Sequence, residues 1–152
     1  MAATHNSGPV YAGPSAPIGE VSAQGGVVLT QKYDLADVTA VTGGVGFDAF
    51  RLPVNAEILD MSVLVVTASN AVTTATLKLT DGTNDIVTGA NLKSVANSLL
   101  SVKGGGASIA SAALVMARAS GSDETLQLVY AETGGAATAG RAVVYLTYIQ
   151  KA

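Results

Sequence analysis

The stretch "LPVNAEILDMSVLVV", Leu52 to Val66, sets the class of fold. Pro53 and Asn55 mark a turn, since proline fixes φ and asparagine tolerates the left-handed region. The next segment, "EILDMSVLVVTAS", reads as a long strand, with Leu59, Met61, Val63 and Val65 on one face and Ile58, Asp60, Ser62, Leu64 and Val66 on the other. Asp60 and Ser62 stand near its start, and beyond them both faces are apolar. The strand is therefore expected to begin at a rim and run into a region covered on both sides, as inside a sandwich or at a subunit contact, which buries Leu64 and Val66 as well as Met61 and Val63.

On its C-terminal side, "TATLKLTDGTNDIVTG" alternates Ala75, Leu77 and Leu79 with Thr74, Thr76, Lys78 and Thr80, and Asp81-Gly82 supplies hairpin-turn chemistry. Upstream, "GVVLTQKY" (Gly26 to Tyr33) is short and β-branched, "DLADVTAVTGG" reads as an irregular connection, and "VGFDAFRL" sets Val45, Phe47 and Ala49 against Asp48. Further downstream, "ANLKSVANSLLSVKGGG" has room for a short helical turn, and "SIASAALVMARA" (Ser108 to Ala119) is read as a strand although a small-residue helix competes. Two strands close the chain, "ETLQLVYA" (Glu124 to Ala131) and "RAVVYLTYIQ" (Arg141 to Gln150). In the second, Tyr145, Thr147 and Ile149 share one face and Val144, Leu146 and Tyr148 the other, and both look covered. Seven or eight short strands with little helix predict an all-β fold, an antiparallel sandwich or jelly roll.

Residues 1–25 differ in kind. Pro9, Pro14 and Pro17 with interspersed glycines favour an extended N-terminal arm over a packed element. Such a composition suits a disordered leader, but Val10, Tyr11 and Ile18 are apolar anchors that a plain linker does not need, and they give an arm ordered on a neighbouring subunit something to bury. Residues 26–152 are expected to form one sandwich domain.

Composition narrows the function. Hydrophobic residues make up 49% of the chain and charged residues 12%, so its surface must be largely Ser, Thr, Asn, Gly and Ala, and oligomerisation is the simplest way to cover it. A net charge of −3 with scattered basic residues argues against nucleic acid as a partner, which calls for a basic stripe. No segment has the roughly 18 to 20 uninterrupted apolar residues of a helical membrane span, and the N-terminus lacks a secretory signal pattern, so a soluble protein not exported by that route and without a membrane partner is expected.

No catalytic constellation is legible. With no cysteine, thiol catalysis and zinc-thiolate sites are excluded, and the single histidine, His5, lies in the arm without a partner to orient it as a base. "DGTND" (Asp81 to Asp85) lacks the ligand spacing of an EF-hand and is better read as a turn, so no metal is implied. Asp48, Glu57 and Asp60 are near each other in sequence, but a sugar cleft usually adds aromatic platforms, and aromatics are only 5% of the chain. "TGGVG" is not a dinucleotide fingerprint, and no P-loop lysine motif exists, so no cofactor is expected. Tyr130, Tyr145 and Tyr148 would suit either an exposed platform or, more commonly, anchors in a core or interface.

The phrase "FRLPVNAEILDMSVLVVTAS…ATLKLTDGTND" and the ending "VVYLTYIQ" resemble virion structural proteins of tailed bacteriophages, particularly small head-decoration (cement) proteins. The residues that carry the likeness are Leu52, Pro53, Asn55, Ile58, Asp60, Val63, Val65, Leu77, Leu79, Asp81 and Gly82. The resemblance implies a homotrimer, made in the host cytoplasm, that reinforces a capsid lattice by contacts with the major capsid protein or another virion protein. Its interface residues would include Val10, Tyr11, Ile18, Leu64, Val66, Tyr145 and Tyr148. A tail, neck or head-fibre component is the alternative within that class. A carbohydrate-binding or adhesin sandwich is the alternative outside it.

Overall fold

Apolar side chains at every second position can be buried only if a strand lays one face against another sheet. Among the described residues the chain forms nine strands. The computed structural model describes residues 27–101, 108–109 and 122–150, and the expectations for Val10, Tyr11 and Ile18 lie outside them. In order, the strands are β1 (Val27–Leu35), β2 (Gly46–Leu52), β3 (Ala56–Thr67), β4 (Thr74–Thr80), β5 (Asp85–Asn91), β6 (Ser98–Ser101), β7 (Ser108–Ile109), β8 (Glu124–Thr133) and β9 (Arg141–Gln150). Among the described residues the only helix is a single 3₁₀ turn, Val38–Ala40.

The strands form two antiparallel sheets in the orders β1-β9-β3-β6 and β2-β8-β4-β5-β7. The chain behaves as one long hairpin ribbon whose rungs are β1/β9, β2/β8, β3/β6 and β4/β5, rolled so that successive rungs enter alternate sheets. That is a jelly roll, with the two-residue β7 added at the edge beside β5.

The tip of the ribbon is the turn after β4. Asp81 Oδ1 accepts from the backbone N–H groups of Thr83 and Asn84 at 2.7 and 2.6 Å, and Gly82 takes a φ of +90°. The Asp-Gly pair thus closes the hairpin as its chemistry predicts.

Between the sheets lies one core. Met61, Val63 and Val65 of β3, Val144 and Leu146 of β9, Ala75, Leu77 and Leu79 of β4, and Leu126 and Leu128 of β8 are fully buried. On β3 the register shifts between Ile58 and Asp60. This bulge puts Ala56 and Ile58 inward before it and Met61, Val63 and Val65 inward after it, and leaves Leu59 half-buried. The uniform alternation expected for this strand, with Leu59 and Met61 on one face, is corrected by that extra residue. A similar shift in β2 between Asp48 and Phe50 turns Phe50 and Leu52 into the core. The segment given room for a helical turn instead supplies β6, whose pairing with β3 sets Leu100 inward against Val63.

The open flank between β1 and β2 is sealed by side chains. Gln31 Nε2 donates to the Arg51 carbonyl at 2.5 Å while its Oε1 accepts from the Arg51 N–H at 3.1 Å. The amide thereby satisfies both backbone groups of a β2 edge residue, a device that blunts an edge strand. Beside it Tyr33 packs on Phe47 and Phe50, ring centroids 5.6 and 6.3 Å away.

At the opposite end from the ribbon tip, Gly140 lets the β8–β9 connection press on the 3₁₀ turn. A Cβ there would stand 2.7 Å from Val38 Cγ2 and 3.2 Å from Ser69 Cα, and Val38 donates its N–H to the Gly140 carbonyl at 3.1 Å. Gly140→Ala is expected to lower stability by about 1–3 kcal/mol through overpacking. Chemical denaturation of the purified variant measures it.

Candidate functional site

Jelly-roll pairing gathers four connections at one end: 36–45, 68–73, 92–97 and 134–140. Each is tied to another part of the chain. Ser69 N–H reaches the Leu92 carbonyl at 2.9 Å, Asn70 N–H the Ala139 carbonyl at 3.3 Å, and Gly44 N–H the Tyr130 carbonyl at 2.7 Å. The Asn70 side chain acts as a peptide surrogate: Oδ1 accepts from the N–H groups of Thr138 and Ala139 at 2.8 and 3.0 Å, and Nδ2 donates to Thr138 Oγ1 at 2.8 Å.

Ionisable groups here bond to the chain's own backbone. Lys93 Nζ donates to the carbonyls of Ala71, Val72 and Thr73 at 2.6, 2.9 and 3.3 Å. Glu132 Oε2 accepts from Tyr130 OH at 2.7 Å and from Ala137 N–H at 2.9 Å. Because the phenol has one proton and gives it to Glu132, the Ser69 hydroxyl at 3.3 Å is the donor to the Tyr130 oxygen. Burial raises the Tyr130 pKa above its ordinary value, with Glu132 adding to the rise and the Ser69 hydrogen bond opposing it. Asp37 caps the 3₁₀ turn by accepting from Thr39 N–H at 2.8 Å, and that hydrogen bond holds its carboxyl below its ordinary pKa.

The second surface is the outer face of the four-stranded sheet. Register places Leu99, Leu64 and Val143 side by side across β6, β3 and β9, next to Asp34 of β1. Ser101, Ser62, Tyr145 and Lys32 form the next row. Asp60 Oδ2 then accepts from the hydroxyls of Ser62 and Ser101, each at 3.0 Å, and Thr30 pairs with Thr147 at 3.2 Å. Asp34 is bridged to Arg141 at 2.8 Å, whose hydrogen bond keeps the carboxyl below its ordinary pKa.

Leu64, Val66 and Tyr145 share this face, and all three are half-buried; no described element lies over them. The expectation that both faces of β3 and β9 are covered therefore meets only one covered face among the described residues. Tyr148 is on the inner face, 5% exposed, with its hydroxyl 3.3 Å from Gln31 Nε2. It is a core residue of the sandwich rather than part of the outer row. Tyr130 is also buried, so no three-tyrosine platform forms.

Sequence reasoning missed the most exposed apolar side chains. Among the described residues the large ones are Val45 (56% exposed), Val72 (69%) and Val95 (79%) on three loops of the gathered end, Val27, Val28 and Leu29 at the start of β1, and Leu99 on β6. Only the fold separates these from core valines. Val72 and Val95 lie in serine-, threonine-, asparagine- and alanine-rich connections without period-two neighbours, whereas Val45, expected on one strand face with Phe47 and Ala49, lies just before β2 and stands in solvent. Among the described residues, no three His, Cys, Asp or Glu come together in a metal-holding group.

Two solved structures share this architecture. The chain is similar to one in the structure described as the cyanophage Pam1 capsid asymmetric unit, with a TM-score of 0.60 and 19% identity over 98% of this chain and 99% of that one. It is also similar to a chain in the capsid of Ralstonia phage GP4, with a TM-score of 0.54 and 17% identity over 91% of this chain and 92% of that one. At these identities the likeness is one of fold. No family model and no curated protein sequence matches the chain.

The capping role of Asp37 has a testable sign. A carboxyl whose pKa is depressed in the folded state adds stability above its unfolded value, ordinarily 3.8, and loses it as pH falls through the folded value. Asp37→Ala is expected to melt below the wild-type chain at pH 7, with the gap closing in acid. A pH series of thermal melts checks it.

Proposed function

We propose that this chain is a virion structural protein that decorates and stabilises a phage capsid lattice through contacts with copies of itself and with the shell. The observation that carries the reading is the fold: a jelly roll whose likeness to chains in two phage capsid structures runs nearly end to end. The surfaces agree with a role in assembly. Apolar side chains stand in the loops and on the outer sheet face, and Lys93, Glu132, Asp34 and Arg141 nearby are engaged within the chain.

In this reading the partners are other copies, as a homotrimer, and the major capsid protein or another virion protein. Neither nucleic acid nor membrane is a partner, and no reaction is catalysed. The residues fall into an arm, 1–25, and a sandwich domain, 26–152. Val10, Tyr11 and Ile18 anchor the arm on a neighbouring subunit. Leu64, Val66 and Tyr145 supply the contact between sandwiches, because half-buried apolar groups on a sheet face gain most from a partner that completes their burial. The protein sits at the capsid surface.

Native mass measurement is expected to find a trimer, and Leu64→Asp is expected to yield a folded monomer, since an unpaired carboxylate in a packed interface is costly. A wild-type monomer contradicts the trimer. Deleting residues 1–19 is expected to leave the sandwich melting as before while weakening retention on heads isolated from an infection that lacks this gene. Retention equal to that of the full chain removes the arm from the proposal.

A further inference from the structure

Asp81 is the one Asp or Asn in the chain that is followed by glycine. Such a pair is the ordinary place for backbone isomerisation, because glycine has no Cβ to hinder its own amide nitrogen from approaching the preceding carboxyl carbon. The Gly82 nitrogen attacks Asp81 Cγ, a C–N bond forms, and the amide proton leaves with the carboxyl hydroxyl as water. Water then reopens the five-membered ring at either carbonyl. One opening restores aspartate, and the other leaves isoaspartate, with the main chain routed through Cβ. Crowding does not oppose this at the ribbon tip: a Cβ on Gly82 would meet no described atom within 4 Å, and residues 82–85 are exposed, so water has access.

What the tip has instead is hydrogen bonds on both reacting groups. The Gly82 N–H donates to Thr80 Oγ1 at 3.0 Å, and the same hydroxyl donates to the Asn84 carbonyl at 2.8 Å. Asp81 Oδ1 accepts from the N–H groups of Thr83 and Asn84, and Oδ2 accepts from Asn84 Nδ2 at 3.2 Å, so both carboxyl oxygens are engaged. Thr80 is one of two buried polar side chains among the described residues, only 7% exposed although it adjoins an exposed turn. The β4/β5 register shifts between the Leu79–Val87 and Thr80–Asp85 pairs, and the turn closes on the Thr80 hydroxyl from both sides.

We propose that Asp81 is the chain's site of spontaneous isoaspartate formation, and that the Thr80 hydroxyl is the positioning group that holds the reaction off in the folded protein. Ring closure consumes the Gly82 proton, and a proton donated to a buried hydroxyl is withheld from solvent base until the tip opens. Closure also brings the carboxyl carbon onto the Gly82 nitrogen, which takes the carboxyl oxygens off Thr83 and Asn84. Both requirements route the reaction through local opening of the turn. Its product lengthens the main chain by one carbon inside a hairpin closed by the Asp81 N–H on the Asn84 carbonyl at 3.2 Å, so the tip loses its fit. The inference concerns this turn and stands apart from the virion reading.

The test keeps purified full-length chain at neutral pH, folded or unfolded in urea, and follows isoaspartate at residue 81 with time by mass-spectrometric fragmentation. The unfolded chain is expected to form it at least about tenfold faster than the folded chain, the ratio being set by the cost of local opening. Folded Thr80→Val is expected to form it about twofold to tenfold faster than wild type, the range that loss of one hydrogen bond allows. Thr80→Ser keeps the hydroxyl and is expected to match wild type. Deamidation at Asn97, before Ser98 in a separate loop, reports general loosening and is expected to be unchanged in Thr80→Val. Amide hydrogen exchange needs no variant, and the wild-type Gly82 N–H is expected to exchange more slowly than in urea. Isoaspartate that is missing at residue 81 in the unfolded chain, or that forms as fast in the folded one, overturns the site and its shielding. Thr80→Val at the wild-type rate, Thr80→Ser as fast as Thr80→Val, a rise shared by Asn97, or an unprotected Gly82 N–H overturns the role given to Thr80.

Discussion

The whole sandwich hangs on β9 reaching back between β1 and β3. Residues 141–150 pair with 27–35 on one side and 56–67 on the other, so the last strand completes the ladders of two strands from the first half of the chain. Until it arrives, Met61, Val63 and Val65 have no lateral neighbour carrying Val144 and Leu146, and β1 has no sheet to join. Pairings so distant in sequence carry the loop-closure entropy before their contacts reward it, which makes slow, cooperative folding the natural consequence. The Asp81-Gly82 tip and the short local rung β4/β5 offer the place where that roll can begin.

Closing the roll divides the side chains. Alternation sends the aliphatic set of β3, β4, β8 and β9 into the space between sheets, and the outside is left to threonine, serine and a few charges that pair among themselves. What is unusual is the remainder: half-buried Leu64, Val66 and Tyr145 on one outer face, and bare apolar side chains both in the loops and at the start of β1. Isolated apolar surface residues are ordinary, but apolar groups sharing one sheet face invite a partner. In the proposed role a capsid would supply such partners in a fixed array, where many weak contacts act together.

Much of the fold was legible because strict period two has few interpretations. Ala75, Leu77 and Leu79 announced their inward face, Asp81-Gly82 its turn, and "RAVVYLTYIQ" its strand to the residue. The parity of β3 was not legible, because Leu59 is as apolar as its neighbours and nothing local marks it as the residue a bulge turns outward. "ANLKSVANSLL" concealed β6 for the opposite reason: its four strand residues include two serines and no β-branched side chain. The candidate site was read in part. Leu64, Val66 and Tyr145 do share an outer sheet face, whereas Tyr148 falls inward by the same alternation that turns Tyr145 outward. Val72 and Val95 carried no local signal of exposure, and Val45 was misread as part of the β2 face because the strand begins one residue after it.

Cryo-electron microscopy of the intact virus is the sharpest test of a decorating role. Jelly-roll density is expected on the outside of the head, repeated with the lattice. A bare shell, with this fold found in the tail or nowhere in the particle, would contradict that role.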